Sequence, residues 1–215
     1  KNYSKYTKVE WTGNPTTITI TNPTSEQKKA AQKIFKLEND WPTVLVIGGG
    51  SGARGLNQAV AHNLPDLLKI AQVIHSTGVG KRIRPPEELP IASHDRYHQF
   101  EYINQTEQAY IAADIVIGRA GIGTLTALSA MSKISIIVPM PDSHQEANAQ
   151  LLYEKDAAIV LDERDIASDT LAKAVRKLLF DVEIQKAVQK NIRSIMPKDG
   201  TANMLAVIKT EVNGK

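Results

Sequence analysis

A glycine-rich turn between a predicted strand and a predicted helix is the strongest chemical signal in this sequence. Residues 114–118 form a short apolar run rich in β-branched side chains, which predicts a buried strand. Gly118, Gly121 and Gly123 follow closely, and Thr124 then begins a helical stretch. Such a turn leaves backbone N–H groups free at the positive end of the helix dipole. We therefore predict a phosphate site in this turn.

A polar loop follows the next predicted strand, residues 135–139. It reads Pro141-Asp142-Ser143-His144-Gln145. Because parallel strands place their carboxyl ends at one edge of the sheet, its side chains can reach whatever group the phosphates carry. His144 is therefore the histidine of greatest interest, and the residues together indicate a domain that binds a phosphate and a sugar.

A second glycine-rich loop, Gly50-Ser51-Gly52-Ala53-Arg54-Gly55, follows another predicted strand and fits G-x-G-x-x-G. This pattern is typical of dinucleotide-binding folds, in which an acidic residue about twenty positions later binds the ribose. Ile74-His75-Ser76 stand there instead, with no carboxylate nearby. The sequence favours a tight turn that approaches a ligand closely over a nicotinamide or flavin site.

Other catalytic and metal-binding patterns are missing. His94 and His98 have the spacing of helical ligands but lie in a proline-flanked segment with no third ligand evident, so we interpret them as a surface pair. His75 ends a predicted strand, where either a structural hydrogen bond or a ligand contact fits. No Ser-His-Asp arrangement, Walker loop or H-E-x-x-H motif occurs. We expect no metal, no cofactor and no catalytic base among these residues.

These loops require a sheet to hold them, and strand and helix patterns alternate about six times. Strands are predicted at residues 43–47, 70–75, 97–103, 114–118, 135–139 and 157–161. Helices are predicted at about 24–38, 56–69, 105–112, 125–131, 165–180, 181–195 and 201–212, with an exposed loop at 79–97. This alternation predicts an α/β fold, a Rossmann-like doubly wound parallel sheet of about six strands with helices on both faces.

The composition is that of an ordinary globular protein, with 42% hydrophobic and 23% charged residues in a chain of 215. A net charge of +3 is too small to indicate a nucleic-acid partner. No apolar run is long enough to span a bilayer, and the lack of cysteine excludes disulfides and thiolate chemistry. The start at Lys1, in what resembles mid-protein sequence, leads us to expect a segment of a longer, cytoplasmic protein.

Three motifs together resemble the carboxyl-terminal half of the MurG family, the UDP-N-acetylglucosamine transferases that make lipid II for peptidoglycan. They are VLVIGGGSGARGLNQ, VIHSTG, and RAGIGTLT followed by VPMPDSHQEANA. The resemblance covers nearly the whole chain and implies the second, donor-binding domain of a GT-B glycosyltransferase. The acceptor site, the membrane surface and the catalytic base are then expected in an N-terminal domain outside this sequence.

The resemblance also implies roles for single residues. Tyr102 and Ile103 are expected to frame the uracil, and the 121–124 turn to face the diphosphate. His144 and Gln145 are expected to bind sugar hydroxyls. The full set of expected donor-binding residues is Gly50, Ser51, Arg54, Tyr102, Ile103, Gly121, Ile122, Gly123, Thr124, His144, Gln145 and Asn148.

Three positions depart from the family pattern. Ala127 stands where the family usually has a Glu that takes both ribose hydroxyls, and Thr17 where it has an Arg near the phosphates. Gly48-Gly49-Gly50 replaces a usual Gly-Gly-Ser. Because Thr126 and Leu128 are expected to point elsewhere on the helix, no neighbour replaces the carboxylate. We therefore expect weak UDP binding and poor discrimination between ribose and deoxyribose.

The resulting hypothesis is the donor-binding domain of an inverting transferase that moves N-acetylglucosamine from UDP-N-acetylglucosamine to lipid I. Two alternatives stay open: a related glycolipid glycosyltransferase that uses another UDP-hexose, and a non-catalytic nucleotide-sugar-binding subunit that needs a partner chain. We assign residues 1–22 to an interdomain linker, 23–198 to donor binding and 199–215 to a terminal helix. The full-length protein is expected to be peripheral on the inner face of the cell membrane, and this chain alone inactive.

Overall fold

The computed structural model describes residues 9–49, 53–86, 89, 93, 95–166, 169–197 and 199–213. The strands are β1 Thr43–Ile47, β2 Gln72–Ser76, β3 Tyr97–Phe100, β4 Ile115–Gly118, β5 Ile134–Ile137 and β6 Ile159–Val160. The helices are α1 Ser25–Ile34, α2 Arg54–Leu67, α3 Thr106–Ala112, α4 Ile122–Met131, α5 Gln145–Glu154, α6 Thr170–Phe180, α7 Val182–Ile192 and α8 Gly200–Asn213, with a 3₁₀ turn at Glu163–Asp165. None of these described helices is long and apolar enough to cross a membrane.

The six strands form one sheet in the order β3-β2-β1-β4-β5-β6, and every neighbouring pair is parallel. This confirms the predicted doubly wound sheet. The strand order reverses between β1 and β4, and sheets of this kind bind ligands outside the carboxyl ends of the strands at that point. Ile47, at the end of β1, pairs with Gly118, at the end of β4. The two glycine-rich turns therefore leave the sheet side by side.

Alternate residues of the central strands enter two apolar clusters on opposite faces of the sheet. Leu45 and Val116 pack in the cluster that contains α3 and α4, and Val44 and Ile117 pack in the one that contains α2 and α6. Because both faces are covered, these strands are continuous apolar runs in the sequence. The packing holds the loops at the carboxyl edge on a rigid base.

The described part of the N-terminal segment, residues 9–22, forms neither helix nor strand but lies against the body of the domain. The Asn203 side chain donates to the carbonyl of Thr12 at 3.0 Å. A Cβ on Gly200 would lie 2.6 Å from the carbonyl oxygen of Asn14, so only glycine allows α8 to approach this closely. Thr24 then caps α1 in a capping box, which decides between Thr24 and Ser25, the two caps that the sequence allowed.

The structure corrects several predicted bounds. The ten-residue helix α5, which was not predicted, begins at Gln145, the last residue of the predicted polar loop. Only Ala149 and Leu152 of α5 are buried, so the sequence of this helix contains too short an apolar pattern to predict it. β3 ends at Phe100 rather than 103, because the chain turns away from the sheet before Tyr102. The loop predicted to be exposed at 79–97 contains Leu89, which is 5% exposed and packs in the core.

Candidate functional site

A cavity of about 510 Å³ lies at the carboxyl edge of the sheet, where the strand order reverses. The ends of β1 and β2, at Ile47 and Ser76, form its base. The turn into α4 forms one wall, the loop after β3 and the start of α3 form the facing wall, and residues 14–18 line the remaining side. Of the expected donor-binding residues, the cavity brings together Tyr102, Ile103, Gly121, Gly123 and Thr124.

The turn into α4 presents free backbone donors to this cavity. Gly121 is the N-cap, no side chain caps the helix, and its first turn contains no acidic residue. A Cβ on Gly121 or Gly123 would meet no described residue within 4 Å, which leaves room for a ligand beside the first turn of the helix. Free backbone N–H groups at a helix N-terminus attract phosphate oxygens. The Ile122 side chain is 52% exposed and does not line the cavity.

The other glycine-rich turn differs, because the protein itself fills the start of its helix. The Glu163 carboxylate lies so close to Gly55 that a Cβ there would overlap it. A carboxylate at the first turn of α2 takes the place that a pyrophosphate has in dinucleotide-binding folds. This disfavours the dinucleotide alternative. Arg54 is exposed and does not line the cavity, and Gly50 and Ser51 fall outside the described residues.

Arg119 joins three loops around the cavity. Its guanidinium group is 7% exposed and donates from Nη1 to the carbonyls of Val138 and Pro139 at 3.2 and 2.9 Å. Its Nη2 forms an ion pair with Glu163. These contacts tie the turn after β4 to the end of β5 and to the 3₁₀ turn after β6. Arg119 therefore positions the site and does not contact the cavity.

The polar loop after β5 lies beside residues 118–124, which are called the phosphate turn after their predicted role. Gln145 Oε1 accepts from the amide of Met140 at 3.1 Å, which closes the loop. Asn148 Nδ2 donates to the carbonyl of Ala120 at 2.8 Å and ties α5 to the phosphate turn. His144 is exposed and makes no capping bond at the start of α5. His144, Gln145 and Asn148 do not line the cavity, so their contact with a sugar stays a prediction.

Tyr102 and Ile103 present different surfaces to the cavity. Tyr102 is 58% exposed, which leaves its ring accessible to a planar base. The Ile103 side chain is 4% exposed and belongs to the core, so Ile103 lines the cavity mainly with its backbone. The Ile103 carbonyl accepts from the Thr106 hydroxyl at 2.9 Å, which fixes the loop before α3.

Sequence reasoning missed Glu107, on the wall formed by α3. Its Oε1 accepts from the amides of Thr19 and Ile20 and from the Thr19 hydroxyl. Burial raises the pKa of Glu107, but the bonds from Ile20 and Thr19 outweigh this and hold the pKa below its usual value. Among the described residues that line the cavity, Glu107 is the only Asp, Glu, Lys or Arg. An acidic residue in a first helical turn is too common to be singled out in a sequence.

The expectation that Thr126 points away from the cleft was wrong, since this residue lines the cavity. Its hydroxyl donates to the carbonyl of Ile122 at 2.8 Å and accepts from Asn14 Nδ2 at 3.0 Å. The Asn14–Thr126 bond and the Glu107 bonds therefore hold the N-terminal segment against α4 and α3. Thr17 and Ala127, two of the departures from the family pattern, also line the cavity.

His75 makes structural hydrogen bonds, which resolves the choice left by the sequence. The residue is fully buried, with Nε2 3.0 Å from Asn57 Oδ1 and Nδ1 2.9 Å from the Tyr97 hydroxyl. Burial lowers the pKa of His75 to about 4, so the ring is neutral at pH 7. Asn57 also donates to the carbonyl of Thr77 at 2.9 Å and ties α2 to the end of β2.

The buried His75 predicts that mild acid destabilises the domain. Its folded pKa lies below the unfolded value of 6.5, so the unfolded chain takes up the proton first as the pH falls. The free energy of unfolding should drop by about 1.5 kcal/mol from about pH 6.5 to about pH 5 and level off below about pH 4. Urea unfolding across this range measures the effect. The dependence of the unfolding free energy on pH should flatten in His75→Gln and persist in the surface control His62→Gln. If both variants keep the wild-type dependence, His75 is not the group that causes it.

The described residues contain no group of three or more His, Asp or Glu side chains that could hold a metal ion. His98 lies on β3 and is half-buried, and burial lowers its pKa. His94 falls outside the described residues, so the predicted surface pair stays a prediction.

Comparison with known proteins identifies relatives over most of this chain. Residues 43–202 match the model of the glycosyltransferase family 28 C-terminal domain. The UDP-N-acetylglucosamine–N-acetylmuramyl-(pentapeptide) pyrophosphoryl-undecaprenol N-acetylglucosamine transferase of Roseiflexus sp. (strain RS-1) is 30% identical over 211 residues, 86% of this chain and 47% of that protein. Its namesake in Thermodesulfovibrio yellowstonii is 35% identical over 168 residues, 75% of this chain and 46% of that protein. The chain thus spans about half the length of these relatives.

Solved structures share the fold. The crystal structure of Acinetobacter baumannii MurG matches with a TM-score of 0.62 at 21% identity, over 88% of this chain and 54% of that one. The calicheamicin glycosyltransferase CalG4 matches with a TM-score of 0.63 at 16% identity, over 81% of this chain and 44% of that one. The expected GT-B half-fold is confirmed.

Proposed function

The chain belongs to the family of glycosyltransferase family 28 C-terminal domains, and we propose that it binds the UDP-N-acetylglucosamine donor of an inverting glycosyltransferase. The observation that carries this proposal is the uncapped N-terminus of α4, open to a cavity at the reversal of strand order. The relatives described above are UDP-N-acetylglucosamine transferases, which supports the choice of donor.

Each part of the donor has a counterpart in the site. The uracil lies against Tyr102 and the backbone of Ile103, and the diphosphate faces the 121–124 turn. The sugar extends toward His144 and Gln145. As the bond from the sugar to the diphosphate breaks, negative charge grows on the departing UDP. The fixed N–H groups of α4 stabilise that charge without reorganising, which lowers the barrier.

The acceptor in this proposal is lipid I, which agrees with the muramyl pyrophosphoryl-undecaprenol in the names of the relatives. The acceptor site and the catalytic base belong to the half of those proteins that this chain does not match. Residues 1–22 would then link the two halves, residues 23–198 would bind the donor, and the terminal helix at 199–215 would complete the domain. The full-length protein would work as a peripheral protein at the inner face of the cell membrane.

Side-by-side titration of the purified chain with four nucleotide-sugars tests the donor. UDP-N-acetylglucosamine should bind most tightly, UDP-glucose and UDP-galactose more weakly, and GDP-mannose should bind least, because the base and the sugar are read separately. Isothermal calorimetry measures the four affinities. A preference for UDP-glucose or UDP-galactose would select the glycolipid glycosyltransferase alternative, and equal binding of GDP-mannose would rule out uracil recognition.

A further inference from the structure

We propose that Glu107 recognises the ribose hydroxyls of the nucleotide, from the wall of the cavity that faces Ala127. This inference rests on the proposed function, because it requires a uridine nucleotide in the cavity. It reverses the expectation of poor ribose discrimination that followed from Ala127 alone.

The cavity has two helical walls, and an acidic side chain stands on one of them. Thr124 and Ala127 lie one turn apart on α4, and Glu107 and Tyr110 lie one turn apart on α3, so each pair shares one face of its helix. All four residues line the cavity. The Tyr110 hydroxyl interacts with the Thr124 side chain, so the two helical faces approach each other at this point. Glu107 therefore stands across the cavity from the wall that contains Ala127.

The groups that line the cavity include a counterpart for each part of a nucleotide. Tyr102 and Ile103 line it at the end of β3, and Gly121 and Gly123 line it at the start of α4. A ribose lies between its base and its phosphates, so its partner must come from the walls between these two ends. Ala127 offers only a methyl group there, while Glu107 offers a carboxylate.

The Glu107 carboxylate is prepared to accept hydrogen bonds. The amides of Thr19 and Ile20 and the Thr19 hydroxyl all donate to Oε1. Oε2 accepts no hydrogen bond from the described residues and keeps its lone pairs for a ligand. Because the bonds to Oε1 already hold the side chain in place, little conformational freedom remains to be lost when a ribose hydroxyl donates to Oε2.

The alternative role for Glu107 is to anchor the N-terminal segment and nothing else. The two roles use different oxygens, so substitution separates them. Glu107→Gln keeps one side-chain oxygen for the amides of Thr19 and Ile20 but replaces the second acceptor with a donor. Thr19→Val removes one bond to Oε1 and leaves Oε2 untouched, which makes it the matched control for anchoring.

Calorimetric titration of the full chain with UDP and with 2′-deoxy-UDP tests the proposal. Wild type should bind UDP roughly tenfold more tightly than 2′-deoxy-UDP, the size expected for a hydrogen bond to a charged acceptor. Glu107→Gln should abolish this preference, because it should lower the affinity for UDP and leave the affinity for 2′-deoxy-UDP unchanged. Thr19→Val should keep the preference. In the Glu107→Gln background, Ala127→Glu should restore the preference from the other wall.

Each contrary outcome has one meaning. Two results would overturn the role of Glu107 and leave the proposed function standing. In the first, wild type binds UDP and 2′-deoxy-UDP equally well. In the second, Glu107→Gln lowers the affinity for both nucleotides by the same factor. If no nucleotide binds to wild type, both proposals fail. If Glu107→Gln loses its native circular dichroism spectrum, Glu107→Asp takes its place in the test. Aspartate keeps the charge on a shorter side chain, and this variant must still reduce the preference for UDP over 2′-deoxy-UDP.

Discussion

Gly123→Val is expected to weaken UDP binding roughly a hundredfold, or about 2.8 kcal/mol, while the domain stays folded. Gly123 lies in the first turn of α4, where no side chain caps the helix and a Cβ would meet no described residue within 4 Å. A valine side chain would fill this space and keep phosphate oxygens from two or more charge-assisted hydrogen bonds, each worth about 1.5–3 kcal/mol.

The backbone at this position does not require glycine. Gly123 lies within α4 and is not among the residues with positive φ, so valine fits the helix there. The effect should therefore appear in calorimetric titration with UDP and not in the thermal unfolding temperature. Ala206→Val adds bulk at an exposed helical position on α8 and should change neither quantity. Native UDP affinity in folded Gly123→Val would place the diphosphate elsewhere.

Arg119→Met should lower the free energy of unfolding by about 3–5 kcal/mol, the largest change expected in this domain. The guanidinium group is buried between the ends of β4 and β5 and is paired with Glu163, of which 22% of the side chain is exposed. Removal of the arginine leaves that carboxylate largely desolvated against Gly55, and frees the carbonyls of Val138 and Pro139. Urea denaturation measures the loss.

A double variant distinguishes the ion pair from simple loss of packing. Arg119→Met combined with Glu163→Leu should recover most of the stability, because the second substitution removes the stranded charge. Arg164→Met is the matched control, since Arg164 pairs with Asp162 in the same turn but is exposed, and its loss should have little effect. If the double variant loses as much unfolding free energy as the two single variants together, Arg119 and Glu163 are not coupled.

Elements with strong local signals were predictable from the sequence. The predicted strand at Thr43–Ile47 matches β1 residue for residue, because a strand buried on both faces is apolar at most positions. The glycine-rich turn between β4 and α4 was predictable for a similar reason, since a link from strand to helix depends only on neighbouring residues, while its binding of phosphate stays a prediction. Helix α5 was missed because it buries too few residues to give a periodic pattern.

The chain's own sequence thus determined the parallel sheet and the existence of two glycine-rich turns at its edge. Only the tertiary structure decided which turn is open, because Glu163, distant in sequence, fills the start of α2, whereas no described residue fills the start of α4. The same holds for Glu107, whose bonds to Thr19 and Ile20 span 88 and 87 residues of sequence. Contacts across such separations depend on how helices pack on the sheet, and local spacing carries no information about that packing.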